Sequence, residues 1–548
     1  MEIRNKIWYF AVALFLLASC TDILDTEPEG EVLTEAQKKE VAEMIPERLS
    51  ADINGLYSVM GKQWAVYGDD ASRADDFGYP AVCLSADLNG PDMWSPDNNY
   101  NWFSVAGSYE DRTYTYANPY IRWGLFYKQI KAANDILASI PEDTDVQLLK
   151  YYKGQALAAR AFDYFNLAQL FQFTYKGNET KPAVPIVTFG MTDTKNPRAT
   201  VEEVYKIIKE DIDNAIALLE GFKRTNKSMI DQKVAYGIRA RVNLVMNNWA
   251  EAAADAQKAR EGYGLLTRDD VAKPGFTDVS ASSWIWGIII NPVNITDGYE
   301  CWPAKLSSLV GVGYTTAVGC YKCINNLLFD VIPETDVRKG WWVDANLKSP
   351  LLEGLTWGNL SGQDIASGQI VDVKIPFVPY TNIKFNAYKE IGNSDNASDW
   401  CIMRAEEMLL VEAEGKAMSG DVAGAKTLLE SFVKGNRNPE YVCEATTADE
   451  MQDEIWLQRR IELWGEGFGI GDVMRLKKNV VRFKTGTPSI VPDAFKFNLA
   501  ADNGWLLLRI PQREINSNTG IGEADNNDGG ALPKSGDGAG LTDGVVVK

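Results

Sequence analysis

The sequence predicts a mainly α-helical protein, in which a tetratricopeptide-like helical-repeat scaffold carries a loop-rich mixed α/β insertion. Three observations support this fold class. Apolar residues recur at the three- and four-residue spacing of a buried helical face on both sides of residues 264–399. In two places small residues join a pair of such helices, as the close packing of repeat helices requires. Within residues 264–399 the helical period gives way to prolines, glycines, asparagines and short β-branched runs.

The N-terminal helical-repeat region, residues 46–263, contains several predicted helices. Apolar stripes predict helices at residues 47–60, 120–140 and 148–173. Residues 61–118, between the first two, are predicted to be loop-rich. Thr200 and Glu203 have the spacing of a capping box, so a further helix is expected to begin after Thr200.

Residues 234–263 fit the tetratricopeptide pattern better than any other stretch. The matching aromatic and small residues are Tyr236, Ala240, Trp249, Ala252 and Ala259. A helical pair of this kind builds a rigid scaffold, which either supports another domain or binds a protein partner.

The C-terminal region, residues 400–548, opens with a second helical hairpin. Its first apolar ladder consists of Ile402, Ala405, Leu409 and Ala413. Gly420 and Asp421 then supply a helix stop and a new N-cap, because glycine tolerates the left-handed conformation and aspartate accepts free N–H groups. Thr447 and Glu450 form a second capping box, which starts a third helix. From residue 520 onward the composition indicates a surface wrap or a loose tail.

Composition and charge exclude several classes of function. The 548-residue chain has a formal net charge of −20, which repels phosphate backbones and disfavours nucleic-acid binding. The absence of histidine excludes Ser-His-Asp and Cys-His nucleophiles and histidine-liganded zinc or iron. The alternating glycines of residues 465–471 mimic a phosphate loop, but they follow a helix rather than a strand, so a dinucleotide site is rejected. We expect a binding protein with no catalytic residues rather than an enzyme.

The first 19 residues have the features of a signal peptide. Arg4 and Lys6 form a basic start, followed by an apolar run at residues 7–17 that is too short to span a membrane. Small residues precede Cys20, as in the lipobox of bacterial lipoproteins, where the thiol is lipidated and becomes the new N-terminus. We therefore expect a lipid on Cys20 and an acidic, solvated tether over residues 20–45.

The sequence gives little indication of a metal site or of redox chemistry. Cys320 and Cys323 form a CxxC, but zinc needs two more ligands and the chain has no second CxxC. The spacing of the cysteines after Cys20 does not resemble that of a disulfide framework. Whether any of them form disulfides stays open. Asp525, Asn526 and Asp528 could ligate Ca²⁺, but the EF-hand order is absent and a plain loop is favoured. No cofactor and no metal are expected to be required.

Two segments concentrate aromatic rings among amides and carboxylates. The first contains Trp94, Asn98, Asn99, Tyr100 and Trp102, and the second contains Tyr299, Trp302 and Tyr314. A sugar has apolar C–H faces and many hydroxyls, so a glycan site needs flat rings beside Asn and Asp side chains. We interpret these eight residues as candidate glycan-binding residues. The alternative is that the rings pin long loops to the body of the protein.

Several runs of the sequence resemble the SusD/RagB family of outer-membrane nutrient-binding lipoproteins. The most specific is RRIELWGEG at residues 459–467, followed by DVMR at residues 472–475. Further similar runs are MRAE at residues 403–406, DDFGYP at residues 75–80 and LLLRIPQREIN at residues 506–516. We expect the arginines and glutamates around residues 403–467 to form structural ion pairs, which identify a family without marking a binding site.

The resemblance implies a SusD-like fold in which residues 264–399, with loops from the N-terminal half, form the ligand face. It also implies an oligosaccharide ligand, a surface-exposed position on the outer membrane, and a SusC-like TonB-dependent transporter over which the protein acts as a lid. Three alternatives stay open. They are a peptide-binding RagB-like uptake protein, a surface glycoside hydrolase that uses paired carboxylates, and a helical-repeat adaptor for protein partners.

Overall fold

The computed structural model describes residues 35–96 and 102–548. The predicted signal peptide, the lipidation candidate Cys20 and the first part of the tether lie outside the described residues. The candidate residues Asn98, Asn99 and Tyr100 also lie outside them. Within the described residues helices dominate, and the mainly α-helical fold class is confirmed.

The N-terminal region begins with helices of very different length. They are α1 (Glu35–Met44), α2 (Ser50–Ser58), α3 (Tyr79–Asn89), α4 (Ser104–Gly107), α5 (Ala117–Ala138), α6 (Gln147–Phe171), α7 (Val201–Leu218), α8 (Gln232–Met246) and α9 (Trp249–Arg260). Helix α3 lies within a segment that the sequence predicts to be loop-rich. Because nearly all of its residues are buried, it lacks the one-sided apolar stripe by which an amphipathic helix is recognised.

The long helices stack side by side in chain order. Helix α5 packs on α6, α6 on α7, α7 on α8 and α8 on α9. Helix α9 then packs on α15 (Ala405–Met418) of the C-terminal region, which in turn contacts α16 (Val422–Asn436) and α17 (Ala448–Glu462). The predicted hairpins are thus present as α8–α9 and α15–α16, and together the stacked helices form the repeat-like scaffold. Ile402, predicted to open the helical face of the second hairpin, instead lies in a strand, Trp400–Arg404, because that segment pairs with Trp284–Ile288.

Close approach between the two hairpins depends on a glycine. A Cβ atom added to Gly415 of α15 would lie 2.5 Å from the carbonyl oxygen of Trp249 and 2.9 Å from the Cβ of Ala253. Real Cβ atoms do not approach a backbone oxygen this closely, so α15 can rest on α9 only because residue 415 has no side chain.

The predicted helix starts are present as hydrogen bonds. The hydroxyl of Thr200 accepts from the backbone N–H of Glu203, and that of Thr447 accepts from the N–H of Glu450, each at 3.2 Å. In both cases the glutamate returns a hydrogen bond, which completes the capping box. The carboxylate of Asp421 accepts a first-turn N–H of α16 at 2.9 Å.

Residues 264–399 fold into short elements. They are α10 (Arg268–Val271), β2 (Trp284–Ile288), α11 (Trp302–Leu306), α12 (Tyr314–Val318), β3 (Cys323–Ile324), α13 (Asn326–Val331), β4 (Thr356–Trp357), β5 (Leu360–Ser361) and α14 (Asp364–Ser367). Strands β4 and β5 form an antiparallel pair. Strand β3 pairs antiparallel with β1 (Met93–Trp94), and β2 pairs antiparallel with β6 (Trp400–Arg404). These two pairings attach the insertion to both flanking regions.

The rest of the C-terminal region holds α18 (Gly469–Arg475) and α19 (Gln512–Ser517), with long connections between them. The glycine-rich end runs along the surface of the helical scaffold. The side-chain amide of Asn527, for example, donates to the carbonyl oxygens of Phe171 and Leu508 at 2.8 and 2.7 Å. Among the described residues, no helix is both long and apolar enough to cross a bilayer.

A buried ion-pair network joins the insertion to the C-terminal region. Its cations are Arg338, Lys384, Arg404 and Arg437, and its anions are Asp336, Glu406, Glu462 and Glu466. Glu462 accepts from the guanidinium groups of Arg338, Arg404 and Arg437 at 3.2, 2.8 and 2.8 Å. Burial opposes its ionisation, but these cations outweigh burial and hold the pKa of Glu462 well below its usual value. The predicted structural role of the charged runs is confirmed.

Candidate functional site

Three of the predicted aromatic residues meet at one surface of the molecule. The indole Nε1 of Trp102 lies 3.3 Å from the hydroxyl oxygen of Tyr314, 212 positions further along the chain. The rings of Tyr299 and Tyr314 are 5.5 Å apart between centroids and cross at 78°. Trp102 and Tyr299 are 42% and 40% exposed, so this cluster presents aromatic surface to solvent.

Trp102 and Tyr314 line an open cleft of about 750 Å³, which we call the aromatic cleft. Its described lining comes from four parts of the chain, namely residues 73–75, residues 102–118, Tyr314 and residues 494–495. The N-terminal region, the insertion and the C-terminal region therefore all contribute, through loops and the ends of helices. A volume of this size accommodates several sugar rings or a short peptide.

Arg73 is fixed at the edge of the aromatic cleft. Its Nε and Nη2 groups donate to the two carboxylate oxygens of Asp75 at 2.9 and 3.0 Å. The guanidinium carbon lies 5.5 Å from the centroid of the Trp102 ring and 5.4 Å from that of Tyr67. Burial opposes the charge, but the hydrogen bond to Asp75 and the negative charge of Asp75, with smaller contributions from Tyr67 and Asp76, together outweigh it and raise the pKa of Arg73. The pair holds the Trp102 ring through a cation–π contact.

Lys305 supports Tyr314 from below. Its Nζ lies 3.4 Å from the centroid of the Tyr314 ring, and the residue is only 1% exposed. Among the described residues this Nζ has no hydrogen-bond partner. Burial, together with repulsion from Lys322, lowers the pKa of Lys305 to about 7.

Asp111 and Asn118 form the inner polar part of the cleft. The side-chain amide of Asn118 donates to the Oδ2 of Asp111 and, at 3.3 Å, to the hydroxyl of Ser85. The other oxygens, Asp111 Oδ1 and Asn118 Oδ1, accept no hydrogen bond from the described residues. Burial raises the pKa of Asp111 to about 6, although the hydrogen bond from Asn118 opposes this shift.

Two of the predicted glycan-binding residues belong to the core, and for them the prediction is wrong. Trp94 is 8% exposed and its Nε1 donates to the carbonyl oxygen of Ile324 at 3.0 Å, across the β1–β3 pair. Trp302 is 3% exposed, donates to the carbonyl of Ser398 at 2.8 Å and packs edge-on against Trp400. Neither ring has a free face on which a sugar could stack.

Several residues of the cleft were not found from the sequence. They are Arg73, Asp75, Glu110, Asp111, Tyr116 and Asn118. Tyr116 is 45% exposed and immediately precedes α5. The available signal was its position in the loop-rich segment that also contains Trp102, because rings in aperiodic loops next to one candidate are themselves candidates.

The other predicted sites have structural partners. The cysteines within the described residues are buried, Cys320 and Cys323 included. In the candidate Ca²⁺ segment, each side chain accepts a backbone N–H, at 2.9, 2.7 and 2.8 Å for Asp525, Asn526 and Asp528. Over the described residues, no group of three or more Asp, Glu, Cys or His side chains is arranged to hold a metal ion.

Fold and site together define a helical-repeat protein with a loop-built binding cleft. Comparison with known proteins narrows this class. A family model described as "Starch-binding associating with outer membrane" matches residues 87–244, and the model of the SusD family matches residues 375–528. These two matches together span more than half of the chain, and the chain belongs to the SusD family.

Individual relatives agree over most of their length. SusD-like protein P38 of Formosa agariphila is 22% identical over 501 residues, which cover 86% of this chain and 90% of the relative. A SusD-like carbohydrate binding protein from Bacteroides vulgatus ATCC 8482 has a TM-score of 0.69 and 23% identity, over 88% of this chain and 98% of that one. A laminarin binding SusD-like protein has a TM-score of 0.59 and 19% identity, over 88% of this chain and 99% of that one.

Proposed function

We propose that this SusD-family protein is a cell-surface lipoprotein that captures oligosaccharides and delivers them to a SusC-like TonB-dependent outer-membrane transporter, for which it acts as a lid. The observation that carries glycan binding is the aromatic cleft, where the exposed ring of Trp102 and the ring of Tyr314 lie beside carboxylate and amide side chains. Two comparisons support the proposal. One solved relative is named for laminarin binding, and one matching family model is described as starch-binding.

The chemistry of the cleft suits a sugar. Indole and phenol rings bind the apolar C–H face of a pyranose, and Tyr116 adds a second exposed ring to the lining beside that of Trp102. Sugar hydroxyls need hydrogen-bond acceptors and donors at fixed positions, which the carboxylates of Asp75 and Glu110 and the hydroxyl of Ser108 supply. Because Arg73 and Lys305 hold two of the rings in place, little side-chain entropy is lost on binding.

The test is substitution of a stacking ring. We expect Trp102→Ala to weaken binding of the best glycan on an array by about tenfold, since one stacking ring contributes on the order of 1.5 kcal/mol. Isothermal titration calorimetry measures the affinity. Phe189→Ala is the matched control, because Phe189 is 39% exposed and lines a different cleft. Equal affinities of Trp102→Ala and wild type would contradict the assignment of the site.

Delivery requires an anchor and a partner. We propose that Cys20 carries the lipid and that the acidic residues after it form the tether. Cys20→Ser is then expected to move the protein from the outer-membrane fraction to the soluble fraction. Tagged wild-type protein extracted in mild detergent is expected to copurify with a TonB-dependent transporter, and copurification of the transporter alone, with no glycan binding, would favour the protein-adaptor alternative.

Capture is proposed to leave the ligand intact. The raised pKa of Asp111 would suit a general acid, which is the observation that favours a glycoside hydrolase. However, Asp111 is only 4% exposed and bonded to Asn118, so it is poorly placed to protonate a glycosidic oxygen. Incubation of each bound glycan with the protein, followed by chromatography, is expected to show no new reducing ends. A peptide library tested in parallel distinguishes glycan binding from the RagB-like alternative, in which the ligand is a peptide.

A further inference from the structure

The polar groups that line the aromatic cleft are dominated by one charge sign. Of the described residues, three carboxylates line it, those of Asp75, Glu110 and Asp111. Among the described residues, Arg73 is the single basic side chain in the lining. A ligand therefore meets more negative than positive groups, and a surface of this kind favours hydrogen-bond donors.

The guanidinium group of Arg73 is already engaged. Two N–H groups of Arg73 are held by Asp75 in a two-pronged pair, at 2.9 and 3.0 Å. This is the geometry in which a guanidinium group recognises a carboxylate most strongly. An acidic ligand would have to displace Asp75 from Arg73 or approach with that pair intact, and in either case it brings a second negative charge beside the first.

The inner part of the cleft adds buried acceptor oxygens. Asp111 and Asn118 are each 4% exposed, and each retains one oxygen with no donor among the described residues. At neutral pH Asp111 is mainly ionised, because the hydrogen bond from Asn118 and the charges of Arg122 and Arg112 limit the effect of burial, which raises its pKa only to about 6. These two oxygens are themselves buried, so the negative charge of Asp111 acts on a ligand through its field and disfavours a second anion.

Lys305 does not reverse this balance. Its Nζ lies behind the Tyr314 ring rather than on the cleft surface, and the residue is 1% exposed. Burial lowers the pKa of Lys305 to about 7, so about half of the molecules lack its charge at neutral pH. It therefore offers little attraction to an anion in the cleft.

We propose that the aromatic cleft selects uncharged and amine-bearing oligosaccharides and rejects acidic glycans that carry uronate or sulfate groups. This inference rests on the proposed glycan-binding function and adds to it the charge class of the ligand. Hydroxyl and ammonium groups donate to the carboxylates of Asp75 and Glu110, whereas a carboxylate or sulfate group meets like charge there.

A charge-matched glycan array tests the proposal. Oligosaccharides of glucose, glucosamine and glucuronate are compared at equal linkage and length, with sulfated glucans as a second acidic set. We expect the neutral or amine members to bind at least about tenfold more tightly than their acidic counterparts, since like charges at close range cost on the order of 1.4 kcal/mol or more. Tighter binding of glucuronate or sulfated members overturns the inference and leaves glycan binding standing, whereas no binding to any glycan overturns both.

Substitutions in the carboxylates provide a second readout. Asp75→Asn frees the two-pronged donor group of Arg73 and is expected to raise affinity for the glucuronate oligosaccharide by at least about fivefold. Glu110→Gln changes an exposed side chain at the rim and is expected to raise it by about twofold to fivefold. Asp145→Asn removes an equally exposed charge outside the cleft and controls for net charge. The inference is overturned if neither cleft variant binds glucuronate more tightly than Asp145→Asn does.

Discussion

At the residue scale, burial of the charged Lys305 side chain near the cleft carries an electrostatic cost. It lies under the Tyr314 ring, and its Nζ has no hydrogen-bond partner among the described residues. Burial and repulsion from Lys322 lower the pKa of Lys305. Together they outweigh Cys320, Asp75 and Glu300, which favour its charge. The contact with Tyr314 therefore positions the ring at a cost to the stability of the protein.

Lys305→Met tests this cost. The pKa of Lys305 falls from 10.5 in the unfolded chain to about 7 in the native protein, so the unfolded chain binds more protons between these values and wild-type stability rises with pH across that window. Methionine does not titrate. We expect the variant to raise the free energy of unfolding by about 1–3 kcal/mol at pH 7 and by less at pH 10.

Urea unfolding at the two pH values measures the difference. Lys131→Met serves as control, because Lys131 is an exposed lysine whose side chain is 74% accessible, and its effect is expected to be the same at both pH values. A larger gain for Lys305→Met at pH 10 than at pH 7 would show that burial does not govern this lysine.

The burial of individual aromatic residues could not be predicted from the sequence. Trp94, Trp102, Tyr299 and Trp302 lie in similar aperiodic, amide-rich surroundings, yet two are exposed and two are buried. Burial of Trp94 follows from pairing of β1 with β3, more than 200 positions away, and burial of Trp302 from packing on Trp400. Such long-range partners leave no local pattern in the sequence.

At the scale of helices, local sequence patterns are sufficient to predict most of the scaffold. Both capping boxes and both repeat-like hairpins are present where spacing predicts them, because a cap and an apolar stripe are properties of one short segment. Helix α3 was missed, because burial on all sides removes the amphipathic pattern.

Gly415→Ala tests the packing of α15 on α9. The added Cβ would meet the Trp249 carbonyl at 2.5 Å, and backbone cannot move aside as a flexible side chain does. We expect the variant to lower the free energy of unfolding by about 1–3 kcal/mol, as overpacking of a tight contact does. Thermal and urea unfolding measure the change.

Gly435→Ala is the matched control for this change. Gly435 lies in α16, and a Cβ there meets nothing within 4 Å. Since alanine is the better helix former, this variant is expected to be more stable than wild type by about 0.5–1 kcal/mol. Similar effects of the two substitutions would show that helix propensity, rather than the contact between α9 and α15, decides the outcome.

At the scale of the whole molecule, the cleft is assembled from distant parts of the chain. The sequence pointed to Trp102 and Tyr314, but not to residues 73–75 or 494–495, which the fold brings beside them. The charged network has the same origin. The charged runs of residues 403–467, which resemble those of the SusD family, predict structural ion pairs. Which residue pairs with which follows only from the folded chain.

Glu462→Gln tests that network. Glu462 is fully buried and balances Arg338, Arg404 and Arg437, so its neutralisation leaves a buried excess of positive charge. We expect the free energy of unfolding to fall by about 3–5 kcal/mol, as for other buried ion pairs that lose one partner. Asp135→Asn, which breaks the exposed pair with Lys131, is expected to cost less than about 1 kcal/mol.

The same variant separates stability from binding. None of the eight network residues belongs to the described lining of the aromatic cleft, so glycan affinity of the folded Glu462→Gln protein at low temperature is expected to stay within about twofold of wild type. Calorimetry below the unfolding transition measures this affinity. A large loss of affinity in a protein that is still folded would mean that the network sets the position of the insertion, and with it Tyr314, relative to Trp102. An unchanged affinity together with the lost stability would mean that the charged runs hold the scaffold while the loops alone shape the site.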